Sequence, residues 1–495
     1  MNPLYPLYLD GKFIETQDRQ NILNPSTGKV IAEASLASPK EVEAALGSSR
    51  LAFDQGDWPK LALSERKNII LKIAAGILDN AGELAALESA NTGKPIKETT
   101  FMDIPSAAKT FEYIAATFES FLNNEVINVP EGAQAALRRE PRGVVVLIVP
   151  WNYPFLIASW KLAFALAAGN TVVLKPSSLT PLTALKLAGI IHDAGLPAGA
   201  VNIINASGSK VGAALCSDKR VDMISFTGSN ETGRQILEYS SRDVKKSIME
   251  LGGKSASLIF GDADIDVAIN SSLSSAFLNQ GQMCTAMSRI FVQESIYDRF
   301  AAGFVKRARA LRLGPADNPE TQMGPLISDA QRKKVLAYIE KARAEGAKVL
   351  CGGKIPQGTE LKNGYFFEPT VIAEVKPQMH IFREEVFGPV VIIGKFTDAD
   401  AAVESANSSD FGLASCIWTK DIPFAERLAK QLNSGTVWIN TYGMFYPQLP
   451  YGGFKQSGFG KELGKEGFLE YTRLKNIITD QSTEGKPLVN YWYGF

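Results

Sequence analysis

The chain is poor in the residues from which several kinds of site are built. It has two histidines, His192 and His380, and four cysteines, Cys216, Cys284, Cys351 and Cys416, in 495 residues. The cysteines lie far apart with no CxxC pair, which argues against a disulfide framework and against a structural zinc site. No metal centre is expected. Lys plus Arg and Asp plus Glu each number 52, so no net field draws polyanions, and neither nucleic acid nor an anionic membrane is an expected partner. The longest apolar stretches, such as GVVVLIVP, fall far short of the roughly 20 residues that span a bilayer. The opening MNPLYPLYLDGKFIE carries no basic start, apolar core and small-residue cleavage site, so a cytoplasmic protein is expected.

What is present is a soluble composition, 45% hydrophobic and 21% charged, in a chain long enough for two or three domains. From about residue 140 short β-rich runs alternate with longer helical patterns, the rhythm of a parallel sheet wound by helices. RGVVVLIVP, NTVVLKPSS, AVNIIN and VDMISFTGS read as strands, separated by helices such as FLIASWKLAFALAAG and ETGRQILEYSS. A second series starts after LGGKS, with ASLIF and RIFVQ as strands and DVAINSSLSSAFLNQGQ as a helix. Two doubly wound α/β domains follow. Ser38, with Glu41 three residues on, marks the start of an early helix. Residues 123–142 read as a projecting polar hairpin, and the aromatic tail KPLVNYWYGF as a second edge element that pairs between subunits.

Among the four thiols, Cys216, Cys351 and Cys416 read as structural. Cys284 in NQGQMCTAMSR follows a glycine and amides at the end of a helix pattern, where backbone N–H groups can face a ligand. It is a nucleophile or a buried packing thiol. A nucleophilic cysteine commonly works with a histidine, yet neither His192 nor His380 sits in a peptidase-like context, which leaves a cysteine peptidase or acyltransferase the lesser reading. A carboxylate in a water-poor pocket also serves as a base. Glu250 in IMELGGKSAS fits that role, or is simply a charge at the end of an element.

The pieces VPWNYPF, KPSSLTP, FTGSNETG, MELGGKS, NQGQMC, EEVFGPV, GTVWINTY and PYGGFKQSGFGKELG occur in this order over residues 149–464. Together they resemble the aldehyde dehydrogenase superfamily. The resemblance implies a Rossmann-like cofactor domain (1–122 and 143–251), a catalytic domain (252–444) and oligomerisation segments (123–142 and 445–495), with a homodimer or homotetramer expected. It makes Cys284 the nucleophile, Asn152 with the Cys284 N–H the oxyanion donors, and Glu250 the base that hydrolyses the thioester. Preorganised donors of that kind typically contribute ~3–4 kcal/mol. Lys161 and Glu462 match positions that support proton movement, or are ordinary surface or packing charges.

No GxGxxG follows the first strand. Gly228 and Ser229 instead stand between a strand and a helix N-terminus, a seat for pyrophosphate. The resemblance gives Lys175 to the adenosine ribose, Glu385 and Phe387 to the nicotinamide riboside, and Trp151 to the pyrophosphate. Val149, Pro150, Gly208, Gly212, Phe226 and Leu251 complete the NAD+ or NADP+ side. Many NAD-dependent members carry Glu where this chain has Ser178, which permits a 2′-phosphate beside Lys175 or merely weakens the NAD contact. The substrate tunnel falls to Tyr153, Trp160, Met283, Phe445 and Tyr451. No arginine stands at Trp160, the place of a carboxylate anchor in semialdehyde-oxidising members. An uncharged aromatic tunnel suits apolar aldehydes, and aromatic faces suit an ammonium. YGGFKQSGFGKELGKEG and the tail are similar to betaine aldehyde and aminoaldehyde dehydrogenases. A semialdehyde dehydrogenase and a catalytically silent member of the same fold are the alternatives.

Overall fold

Five consecutive β-branched or leucine side chains, Val144–Ile148, are all buried, the pattern of a strand covered on both faces of a parallel sheet. The computed structural model describes residues 2–123, 125–128, 133–358 and 361–480. In it Val144–Ile148 lies between Thr171–Lys175 and Met223–Thr227, parallel to both. Val201–Ile203 continues the sheet beyond Thr171–Lys175, and Lys246–Glu250 continues it beyond Met223–Thr227. The chain thus winds outward in one direction, returns, and winds outward in the other. The reversal opens a crevice at the carboxyl ends of Val144–Ile148 and Met223–Thr227, where ligands of doubly wound sheets bind.

The eight-stranded sheet is completed at its edges by strands the sequence pattern did not disclose. Leu7–Leu9 and Lys12–Ile14 extend one side, and the two-residue strand Gly458–Phe459 pairs antiparallel with Lys246–Glu250 on the other. A seven-stranded sheet is built around Ala256–Ile259, Arg289–Gln293 and Val390–Phe396, all parallel. Two doubly wound α/β layers are therefore present, as the alternation of strands and helices requires.

Helix Pro154–Ala167 starts with proline in its first turn, and every residue but Ile157 is buried. An all-round apolar helix belongs in the interior. It packs against helix Ile104–Phe121, which in turn contacts Leu63–Asp79. Ser38 caps Pro39–Asp54 with the reciprocal Glu41 contact. The hairpin strands Glu125–Asn128 and Ala133–Pro141 pair with each other, and the latter pairs with Thr472–Asp480. The KPLVNYWYGF tail lies outside the described residues.

One expected element is shorter than its sequence pattern. The helix read through DVAINSSLSSAFLNQGQ ends at Phe277. Asn279 and Gln280 then turn left-handed, at φ 48° and 56°, so the chain reverses toward the first sheet instead of extending. No helix among the described residues is long and apolar enough to cross a membrane.

Candidate active site

The left-handed turn delivers Cys284 to the floor of a cavity of about 670 Å³. Three links hold that turn against the segment after strand Val144–Ile148. The Asn279 side-chain amide donates to the Asn152 carbonyl at 2.9 Å, and the Asn152 amide donates to the Gln282 carbonyl at 2.9 Å. The Tyr153 hydroxyl meets the Met283 sulfur at 3.5 Å. Asn152 is buried with its amide aimed by these contacts, and one of its two amide hydrogens is committed to Gln282. Gly253 must be glycine here, because a Cβ would stand 2.1 Å from the Cys284 carbonyl oxygen.

Cys284 is half-buried, and its thiol is pushed up to about 12. Burial is the main cause, opposed by the Tyr451 hydroxyl and reinforced by the carboxyl groups of Glu385 and Glu250. At rest it is a thiol. Glu250 ends strand Lys246–Glu250 and lines the same cavity. Its carboxyl is raised well above the usual range, first by burial and then by Glu462. Neither of its oxygens has a hydrogen-bond partner among the described residues. A Cβ at Gly452 would lie 2.7 Å from Glu250 Oε1, so the glycine leaves the carboxyl its space. Buried polar groups are nearly always paired, and an orphaned one calls for an explanation.

Lys161 and Glu462 are buried and not surface charges. The Lys161 ammonium meets Glu462 Oε1 at 2.5 Å and the Ser225 hydroxyl at 2.7 Å. Glu462 lines the cavity as well.

The cavity wall is aromatic. Trp160 and Phe445 each lie edge-on or tilted to Tyr451, at 6.0 and 5.4 Å between ring centroids. The residues Tyr153, Trp160, Met283, Phe445 and Tyr451 all line it. No arginine does. Its charged lining is Asp103, Glu112, Glu250 and Glu462 against Lys109 alone.

The residues expected around a dinucleotide gather at the carboxyl ends of four neighbouring parallel strands. Lys175 ends one strand, and Val149 to Trp151 follow the next. Phe226 to Ser229 close the third, and Leu251 follows the fourth. Ser229 caps helix Asn230–Ser241 by accepting from the Thr232 N–H. Lys175 is buried, and burial lowers its ammonium to about 8; its single hydrogen bond, 3.4 Å to the neighbouring Pro176 carbonyl, leaves donors to spare. Trp151 stands edge-on to Phe387 at 5.2 Å. Glu385 accepts from the Gly253 N–H at 2.9 Å, and burial raises its carboxyl to about 7. Gly208 and Gly212 border open space, and Ser178 is half-buried. A helix N-terminus, a buried cation and a buried carboxyl along one crevice fit a dinucleotide.

Sequence reasoning missed two features. Tyr442 donates to the Met283 sulfur at 3.2 Å, although it closes the quoted GTVWINTY. Behind Tyr153, a buried quartet forms from Lys94, Asp103, Glu88 and Glu98, residues that the sequence reading did not single out. The Lys94 ammonium pairs with Asp103 at 2.5 Å and sits 3.5 Å from the Tyr153 ring centroid. Glu88 accepts from Phe155 N–H and Glu98 from Asn279 N–H, so the quartet braces both sides of the Cys284 turn.

Residues 13–477 match the aldehyde dehydrogenase family. The chain is 44% identical over 490 residues to a betaine aldehyde dehydrogenase of Bacillus subtilis, covering 98% of this chain and 99% of the relative. It is 42% identical over 458 residues to human retinal dehydrogenase 2, covering 92% and 88%. Its fold superposes on the crystal structure of a Staphylococcus aureus betaine aldehyde dehydrogenase in complex with NAD+ with a TM-score of 0.96, at 40% identity over 99% of this chain and 96% of that one.

Proposed function

The chain belongs to the aldehyde dehydrogenase family, and we propose that it oxidises an apolar or amino/betaine-type aldehyde to the carboxylic acid through a thioester on Cys284. Oxidation of an aldehyde with a nicotinamide dinucleotide is the activity of the enzyme. The bound dinucleotide supplies the hydride acceptor. Cys284 gives up its thiol proton to the Glu250 carboxylate and adds to the carbonyl carbon, and the oxyanion so formed is held by the Asn152 amide and the Cys284 N–H. Glu250 takes a proton from the water that releases the acid. Lys161 and Glu462 lead protons away from it.

The observation that carries this reading is the orphaned, buried carboxyl of Glu250 sharing a cavity with the Cys284 thiol. Nothing in the packing explains a carboxyl left unpaired there, whereas a water-activating base needs one. Lys175, Gly228, Ser229, Glu385 and Phe387 would hold the dinucleotide, with Trp151, Val149, Pro150, Phe226, Leu251, Gly208 and Gly212 around it. Ser178 beside Lys175 permits NADP+ as well as NAD+.

The aromatic wall and the excess of carboxyl groups in the cavity favour a neutral or cationic aldehyde over an anionic one. The betaine aldehyde dehydrogenases among the relatives support the same class. The exposed apolar residues Val126, Leu474 and Ile478 on the small sheet support residues 123–142 and 445–495 as the segments of a homodimer or homotetramer. The two large sheets support 1–122 with 143–251 as the cofactor domain and 252–444 as the catalytic domain. A cytoplasmic location completes the reading. Steady-state rates for aliphatic, aromatic, amino and carboxylate-bearing aldehydes against both cofactors test it. The highest kcat/KM should fall on a neutral or cationic aldehyde; a preference for the carboxylate-bearing substrate would overturn the assignment.

A further inference from the structure

A nucleophilic cysteine ordinarily has a cation beside it to hold the thiolate. Cys284 has none. The titratable groups that face it are the carboxyls of Glu385 and Glu250 and the hydroxyl of Tyr451, with the Thr285 N–H as the one further donor. Tyr153 and Tyr442 also lie near the thiol, but their hydroxyls are spent on the Met283 sulfur.

The Tyr451 hydroxyl stands 3.4 Å from Cys284 Sγ, and this is its hydrogen bond among the described residues. The ring cannot swing away. Trp160 and Phe445 pack against it, and its backbone exchanges two 2.7 Å hydrogen bonds with Glu462. While the sulfur carries its proton, either group can donate in this contact. Once the sulfur is a thiolate, only the phenol can. The phenol keeps its proton throughout, because burial, with Cys284 and Glu250 next, raises it well above its ordinary value. The contact therefore strengthens when the nucleophile forms, as hydrogen bonds to charged acceptors do.

We propose that Tyr451 is a catalytic residue whose hydroxyl donates to the Cys284 thiolate, in the place that a histidine or lysine cation holds in other thiol enzymes. The role goes beyond lining the tunnel and rests on Cys284 being the nucleophile. The test is the pH dependence of Cys284 alkylation by iodoacetamide, a neutral reagent, followed by mass spectrometry of the Cys284 peptide in the purified enzyme. Tyr451→Phe removes only the hydroxyl and should move the profile up by about one pH unit, a roughly tenfold slower alkylation on its rising limb. Incorporation of 3-fluorotyrosine at 451, a stronger donor of nearly the same shape, should move it down. Cofactor binding and melting temperature verify that each variant is folded; if Tyr451→Phe is not, the fluorotyrosine arm decides. Coincident profiles would overturn the proposal. Alkylation of Cys284 that leaves aldehyde oxidation intact would overturn the nucleophile assignment beneath it, a separate and recognisable result.

Discussion

The buried quartet behind Tyr153 and the single carboxyl of Glu250 are treated oppositely by the protein. In the quartet behind Tyr153, Asp103 has Lys94, Glu88 has the Phe155 amide and the Thr183 hydroxyl, and Glu98 has the Asn279 amide. Glu250 has no hydrogen-bond partner among the described residues. Removing one partner from a buried pair is far costlier than lacking the pair altogether, so the first group holds the architecture. Glu250 is left unsatisfied beside the Cys284 thiol, where the proposed chemistry needs a free lone pair. Burial raises carboxyl groups in both places, but among the described residues Glu250 is the buried carboxyl that lines the cavity with both oxygens unpartnered.

The sharpest break of this comparison is Glu250→Gln. It keeps the shape, so the melting temperature should hold or rise, while kcat falls about 10²–10⁴-fold, the usual contribution of a general base; steady-state assays and a thermal melt on one sample read both. Asp103→Asn should do the reverse, leaving Lys94 as an unpaired buried charge and costing about 3–5 kcal/mol in denaturant unfolding.

Titration separates the two groups by sign. Glu88 and Glu98 are raised by burial to about 7 and about 8 in the folded protein, so between the ordinary carboxyl range and pH 8 the folded state binds more protons than the unfolded one. Stability should therefore fall as pH rises through this window, by at most about 1.4 kcal/mol per unit for each group. Activity should move the other way, because Glu250, as proposed, is a base only after losing its raised proton: kcat rises with pH, and the part of that rise due to Glu250 should vanish in Glu250→Gln. Parallel melting and rate profiles would erase the distinction. The smallest expected effect is on the cofactor side, where Ser178→Glu should raise the KM for NADP+ about tenfold, some 1.4 kcal/mol, with little change for NAD+.

The ordered motifs named Cys284 and Glu250, which line one cavity, and the alternation of strand and helix runs and the Ser38 cap were readable from local periodicity and spacing. Four classes of feature were not. The edge strands Leu7–Leu9 and Gly458–Phe459 are too short to show a period, and only pairing with a distant strand defines them. The premature end of the helix at Phe277 is tertiary: Asn279 turns left-handed where Glu98 and Asn152 take its hydrogen bonds. Lys94 and Asp103 read as solvated charges because burial of a charge depends on what the rest of the chain brings over it. The state of the thiol ran against expectation, since reactive cysteines are associated with depressed values and Cys284 is raised; its depth and its carboxyl neighbours are products of the fold.

The reversal of strand order in the eight-stranded sheet orders events in time. A chain growing from its N-terminus completes Val144–Ile148, Thr171–Lys175 and Val201–Ile203 before it makes the strand bearing Glu250, and Cys284 is later still. Tyr451 and Glu462 come after both, and Gly458–Phe459 closes the sheet beside Glu250. The cavity beside Glu250 is thus assembled from segments that lie far apart in the chain, and none of them forms it alone.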